Sequence, residues 1–253
     1  MSKEPVILVE GASKCYTMHA MAHSGLKKYI LSLPSRLRRR APRQIFHALK
    51  NVSFRVDEGE SLGLMGRNGS GKSTALSLIA GVLKPDEGRV KTRGRICPLL
   101  ELGAGFHPDL TGRENIILNG VLLGMLRREV QKRSEEIIAF SELGVFIEEP
   151  IRTYSMGMLA RLGFSVAAHL DPQILLVDEI LSVGDAAFQA KCMDRFRQFR
   201  SRGVTTLFVS HDLATVRAVC DRAILLTHGE IRANGPVEEV AASYDRVLSG
   251  AAT

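Results

Sequence analysis

Nine residues, Gly66-Arg67-Asn68-Gly69-Ser70-Gly71-Lys72-Ser73-Thr74, constrain this chain more than any other stretch. Glycines let a backbone curl until successive N–H groups face one anion. Lys72 adds a point charge suited to the β- and γ-phosphates of a nucleotide, and the Ser73 hydroxyl is of the type that ligates Mg²⁺. The flanks agree with this reading. Leu62-Gly63-Leu64-Met65 is an apolar run of strand length, and Thr74–Ala80 has helical character, so a helix N-terminus points at the bound phosphates. Strand, glycine loop and helix in that order predict an α/β fold. Gly66, Asn68, Gly69, Ser70, Gly71, Lys72, Ser73 and Thr74 are the candidate phosphate-binding set. The plainer alternative is a glycine-rich turn that happens to precede a lysine.

A second run, Ile174-Leu175-Leu176-Val177-Asp178-Glu179, ends in two carboxylates. Four consecutive apolar residues predict a strand buried on both faces, as in a parallel sheet. Ligands of open α/β sheets bind at the carboxyl ends of the strands, where Asp178 emerges. Asp178 suits the Mg²⁺ shell, and Glu179 suits a general base that polarises a water. The rival assignment is an Asp-Glu pair that caps the next helix.

Between the two lies Tyr154-Ser155-Met156-Gly157-Met158, opening an amphipathic helix with Leu159, Leu162, Gly163, Val166, Ala167 and Leu170 at helical spacing. Ser155 is a good N-cap, and Gly157 permits close backbone approach. Ser182-Val183-Gly184-Asp185 and then Ser210-His211 follow the carboxylates. This order of five motifs resembles the nucleotide-binding domain of ABC (ATP-binding cassette) ATPases, over nearly the whole chain. The resemblance implies an α/β P-loop NTPase (RecA-like) core with an antiparallel β subdomain and a helical subdomain. It implies ATP and Mg²⁺ as cofactors and a head-to-tail homodimer, in which Ser155 and Gly157 of one copy bind the γ-phosphate held by Lys72 of the other. It also assigns adenine stacking to Tyr16, a nucleotide contact to Asp185, and a γ-phosphate and water contact to His211. For His211 the rival is a surface histidine capping the following helix.

Within that superfamily three segments look like bacterial polysaccharide-export ATPases: Leu99–Asn115, Tyr154–Phe164 and Val177–Phe188. The usual Leu-Ser-Gly-Gly-Gln signature is here Tyr-Ser-Met-Gly-Met. Glu101 stands where ABC proteins usually place a Gln that touches Mg²⁺; both departures are like the export group. A carboxylate at Glu101 binds metal more strongly but repels the γ-phosphate, so its metal contact is direct or one shell removed. The resemblance implies transmembrane permease subunits as partners, a lipid-linked polysaccharide (O-antigen, capsule or related glycan) as cargo, and a peripheral position on the cytoplasmic face of the inner membrane.

Size and charge set the remaining bounds. The chain has 253 residues and is 45% hydrophobic, enough for a sizeable core. No stretch reaches the roughly 18 apolar residues of a membrane span, and Met1–Pro5 offers no apolar segment of a secretory signal. Cys15, Cys97, Cys192 and Cys220 are scattered, without zinc or disulfide spacing. The net charge of +7 is concentrated: from Gly11 to Val56 there is no acidic residue, while Arg36, Arg38, Arg39, Arg40 and Arg43 cluster there. Such a block meets an anionic surface or is simply solvated.

The whole of 1–253 reads as one nucleotide-binding domain. A strand begins at Val6–Val9. A basic insertion spans about 17–46, in which Leu26, Tyr29, Ile30 and Leu33 form a helical stripe ended by Pro34. It is either an amphipathic helix at the membrane interface or an exposed loop. A mostly helical insert covers about 101–165. In it Thr111 and Glu114 form a capping box, and Leu118, Val121, Leu122, Met125 and Leu126 line one helical face. A second helix runs from about Arg128 to Phe140. Strands at Thr205–Val209 and Ala223–Leu226, a helix at Leu213–Val219, a hairpin turn at His228-Gly229 and a final helix at Pro236–Val247 complete the chain. Two other classes compete with export. An importer ATPase for a small solute is disfavoured by Glu101, the altered signature and the basic insertion. A soluble nucleic-acid ATPase is disfavoured by the lack of coiled-coil or zinc insertions and of a second cassette, so no nucleic acid is expected.

Overall fold

A computed structural model describes residues 4–18, 44–99, 103, 105–178 and 184–248. Glu101, Glu179 and nearly all of the basic insertion lie outside these residues. Three strands, β1 (Pro5–Met18), β2 (Gln44–Asp57) and β4 (Glu87–Thr92), form an antiparallel sheet in the order β2-β1-β4. Six others, β3 (Ser61–Met65), β5 (Ile96–Leu99), β6 (Ile174–Val177), β7 (Thr205–Val209), β8 (Arg222–Thr227) and β9 (Glu230–Pro236), form a second sheet in the order β5-β6-β7-β3-β8-β9. That sheet is parallel except for β9, which returns antiparallel to β8 through the His228-Gly229 turn. The helices are α1 (Lys72–Ile79), α2 (Gly112–Leu122), α3 (Arg127–Ser141), α4 (Met156–Ala168), α5 (Ala186–Ser201), α6 (Leu213–Val219) and α7 (Val237–Leu248).

The period of two in the central strands explains the layering. Leu62, Leu64, Ile174, Leu176, Leu207, Val209, Ile224 and Leu226 face α1 and the antiparallel sheet. Their alternates Met65, Leu175, Val177, Phe208, Ala223 and Leu225 face a second core with α4, α5 and α7. Strands buried on both faces lose the polar alternation of a surface strand, so they read as continuous apolar runs. The second core is rich in rings: Phe164 lies 6.1 Å from Phe188 and 5.7 Å from Phe196, centroid to centroid, in tilted or edge-on geometry.

Several boundaries differ from expectation. β1, expected to begin at Val6–Val9, starts at Pro5 and runs on to Met18, pairing Thr17 with Ile45 and Met18 with Gln44, so both strands take in the ends of the expected insertion. The phosphate-loop helix starts at Lys72 rather than Thr74. Pro236 closes β9 opposite Arg222 and is not the first residue of α7. The α2 stripe is a correction in facing. The buried side of α2 is Asn115, Ile116, Asn119 and Gly120, whereas Val121 and Leu122, with Leu126 just beyond, are exposed.

Candidate functional site

The loop between β3 and α1 is fixed by glycines that no other residue replaces without strain. Gly66 has φ 152° and a Cβ there would sit 2.3 Å from the Leu226 carbonyl; Gly71 has φ 108° and its Cβ would sit 2.4 Å from the Ala48 carbonyl. Lys72 is buried, and its Nζ donates to the Gly66 carbonyl at 2.7 Å and the Arg67 carbonyl at 3.2 Å. The lysine is thus held across the loop by the loop's own backbone.

A cleft of about 610 Å³ opens beside it. Asn68, Gly69, Gly71, Lys72, Ser73 and Thr74 line it from the loop side, and Asp178, just past β6, lines it from the neighbouring strand end. These residues are more than 100 positions apart in sequence, and the parallel sheet brings them together. Phe46 and Ala48 of β2 close another side. Tyr16 does not line this cleft; its direct cross-strand partner Phe46 does, and both are exposed. Sequence reasoning missed Phe46, although an aromatic facing Tyr16 across a hairpin is the expected neighbour of a ring-stacking site. The donor set fits Mg²⁺. That ion keeps several waters and takes one or two protein oxygens beside phosphate oxygens. Ser73 and Asp178 offer one hydroxyl and one carboxylate in the same cleft, and no cluster of three His, Cys, Asp or Glu exists among the described residues.

The other candidates lie elsewhere. Ser155 N-caps α4, its Oγ accepting from the Met158 amide at 3.2 Å. Gly157 has open space around a would-be Cβ, with only the Ser155 Oγ, 3.8 Å away, within 4 Å. Met156 between them is 81% exposed, so this turn faces outward rather than into the chain's own cleft. Asp185 N-caps α5, accepting from the Phe188 amide at 2.9 Å; that bond, then the Arg161 charge, holds its carboxyl below the usual carboxylate range. Arg161, which sequence reasoning passed over, reaches from α4 to Asp185 at 2.7 Å and to Glu142 at 3.2 Å, with its guanidinium 4.9 Å from the Phe188 ring centre. His211 is exposed after β7, and Asp212, not His211, caps α6. Burial pushes the thiols of Cys97, Cys192 and Cys220 up to about 12, which keeps them protonated.

A strand–glycine loop–helix cradle, an aspartate at the adjacent strand end and an outward-facing capped helix together define an ATP-binding cassette. The ABC transporter family matches residues 49–182, and the chain belongs to that family. It is 51% identical over 245 residues to the O-antigen export system ATP-binding protein RfbB of Klebsiella pneumoniae, covering 97% of this chain and 99% of that one. It is 46% identical over 205 residues to the teichoic acids export ATP-binding protein TagH of Listeria monocytogenes serotype 4b, covering 81% of this chain and 61% of that one. Among solved structures it matches the dimeric post-hydrolysis state of the ATP-binding cassette MJ0796 bound to ADP and Pi, with TM-score 0.71 and 26% identity over 91% of this chain and 98% of that one. The chain is accordingly an ABC ATPase.

Proposed function

We propose that this protein is the ATP-hydrolysing subunit of an exporter that moves a lipid-linked polysaccharide of O-antigen type across the inner membrane. The observation that carries this reading is the end-to-end similarity to an O-antigen export ATP-binding protein. Teichoic acid export is the neighbouring possibility within the same cargo class, supported by the shorter match to TagH. No helix among the described residues is long and apolar enough to cross a membrane. Separate permease subunits, as the family resemblance implies, would provide the path for the polymer. The exposed apolar side chains of Val121, Leu122, Leu126, Val145 and Phe146 in the helical region offer them a docking surface.

The residues divide the work. The amides of 66–71 and Lys72 bind and orient the β- and γ-phosphates, the α1 N-terminus favours their charge, and Phe46, backed by its cross-strand partner Tyr16, positions the base. Ser73 and Asp178 would hold Mg²⁺, with Glu101 as a further candidate, and the ion would supply charge neutralisation on the phosphate oxygens. Glu179 takes the proton from the attacking water, and His211 orients that water and the γ-phosphate. Ser155 and Gly157 of a second copy complete the γ-phosphate shell, so two chains form two composite sites. Closure on ATP and reopening after hydrolysis then drives the permease, because ATP binds the two states unequally.

The test is deletion of this protein followed by an assay of surface polysaccharide, with Glu179→Gln as the hydrolysis-dead control. Loss of surface polymer with lipid-linked glycan accumulating inside supports the assignment. Normal surface polymer in both strains overturns it.

A further inference from the structure

A second cavity, of about 710 Å³, lies on the other flank of the phosphate loop. Its walls come from three separate stretches: residues 67–70, the end of β8 with its turn into β9, and the last turns of α7. Arg67, His228, Arg232 and Arg246 line it, and no Asp or Glu does. Arg232 is paired at 3.5 Å with Glu230, a long and exposed pair of the kind that exchanges readily for a better anion. The Arg246 guanidinium turns onto the Ala242 carbonyl at 3.2 Å and the Ser243 hydroxyl at 3.3 Å, which keeps it at the cavity wall.

Ser70 lies in the wall between the two cavities. It lines this one and is 5% exposed, and its Oγ, without a hydrogen-bond partner among the described residues, sits against Gly66 and not in the open space. The three arginines are therefore what the cavity offers a ligand. The C-terminal end of α7 works against an anion through its dipole, but a partial charge at one helix end is weaker than three guanidinium groups.

We propose that this cavity is a second anion site, taking a phosphate-bearing ligand, and that it shares the 67–70 loop with the nucleotide cleft as a common wall. Asn68 and Gly69 line both cavities. A ligand that fixes the loop from one side changes the cradle presented on the other, and the coupling is reciprocal. Free phosphate and a phosphate carried on a larger molecule share this chemistry. The volume, comparable to that of the nucleotide cleft, and the apolar contribution of Leu225, Leu226 and Val247 leave room for the second.

The experiment uses the full chain with saturating Mg-AMPPNP, a non-hydrolysable triphosphate that fills the β- and γ-phosphate positions of the nucleotide cleft, and measures labelled orthophosphate by equilibrium dialysis, with UDP-glucose as competitor. One saturable site per chain is expected. Arg232→Ala/Arg246→Ala weakens it at least tenfold while Mg-AMPPNP affinity stays within twofold, since neither residue lines the nucleotide cleft. Arg197→Ala, an exposed arginine on α5, leaves it unchanged. If the double variant fails to fold, Arg232→Gln alone, at a 59% exposed side chain, gives the same reading. Displacement by UDP-glucose at concentrations below that of phosphate assigns the site to a larger phosphate-bearing ligand; displacement only at higher ones assigns it to free phosphate. Absence of saturable binding, or equal binding by the double variant, overturns the proposal. Hydrolysis and transport play no part in the measurement, so its failure leaves the export assignment standing.

Discussion

The two glycine-bearing turns, one before α1 and one at the start of α4, have similar composition and opposite physics. The phosphate loop is closed from behind by its own chain: Ala48 and Leu226 carbonyls sit where Cβ atoms of Gly71 and Gly66 would be. The Ser155-Met156-Gly157 turn is open, with Met156 81% exposed and nothing packed on Gly157. A folded chain has already met the cost of shaping the first, while the second presents its surface to something outside. That difference is what a composite site made from two copies requires.

The comparison breaks first at Gly71. Gly71→Ala forces a Cβ against backbone at a positive φ, so we expect a loss of about 3 kcal/mol of stability together with loss of ATP binding. Denaturant melts and nucleotide titration check both; a stable variant that still binds ATP would show that the loop is not closed from behind.

Gly157→Ala should behave in the opposite way. Open space and ordinary helical geometry predict stability within about 0.5 kcal/mol of the parent and unchanged ATP binding to the single chain. Hydrolysis should fall at least about tenfold, or 1.4 kcal/mol in barrier, if a second copy's phosphate approaches this backbone. Unchanged hydrolysis would leave the turn without a role in the site.

How much of this was legible in the sequence depends on where each signal resides. The phosphate loop, Asp178 at the end of β6, the Thr111 capping box and the Ser155 cap are local, and the structure places them where their residue types predict. β4 was not legible because Glu87–Thr92 is exposed along almost its whole length, so it carries no apolar alternation. β5 contains Pro98, which argues against a strand inside a sheet; it survives at the sheet edge. α5 was legible and overlooked: Phe188, Cys192, Phe196 and Phe199 recur at helical spacing and are its buried face. Phe46 in the nucleotide cleft, and the basic cavity behind the loop, come from residues joined only by strand pairing and by the packing of α7. No local pattern encodes such meetings.

Ser155 allows the two turns to be separated chemically. Ser155→Ala removes the bond to the Met158 amide and should cost about 1 kcal/mol. Ser155→Asp keeps a capping oxygen and should restore the melting temperature, since Asp caps as well as Ser. The carboxylate would nonetheless repel a γ-phosphate arriving from a second copy, so hydrolysis should stay low in both variants. Recovery of hydrolysis along with stability in Ser155→Asp would mean that the residue acts only as a cap.

Arg161 offers the smallest effect and ties the open turn to the rest of the molecule. It lies on the helix that Ser155 caps, and its fork spans to Asp185, the cap of α5, and to Glu142. Glu142 in turn pairs with Lys191 of α5 at 2.6 Å. Arg161→Gln removes the charge from a cluster that is partly exposed, where ion pairs contribute little, so we expect a melting temperature lower by no more than about 4 °C. Hydrolysis should fall two- to threefold with ATP binding unchanged, because α4 is less firmly aimed. The pH dependence has a definite sign. The Asp185 carboxyl is held down first by the Phe188 amide and then by Arg161, and an acid with a lowered folded value stabilises the fold above its ordinary value of about 3.9. That contribution is lost as pH falls through the lowered folded value. The difference in melting temperature between the parent and Arg161→Gln should therefore hold steady from pH 8 to about 5 and shrink below about pH 4. A difference that instead grows toward acid pH would mean that Arg161 acts through something other than these carboxylates, and that the open turn is aimed by packing alone.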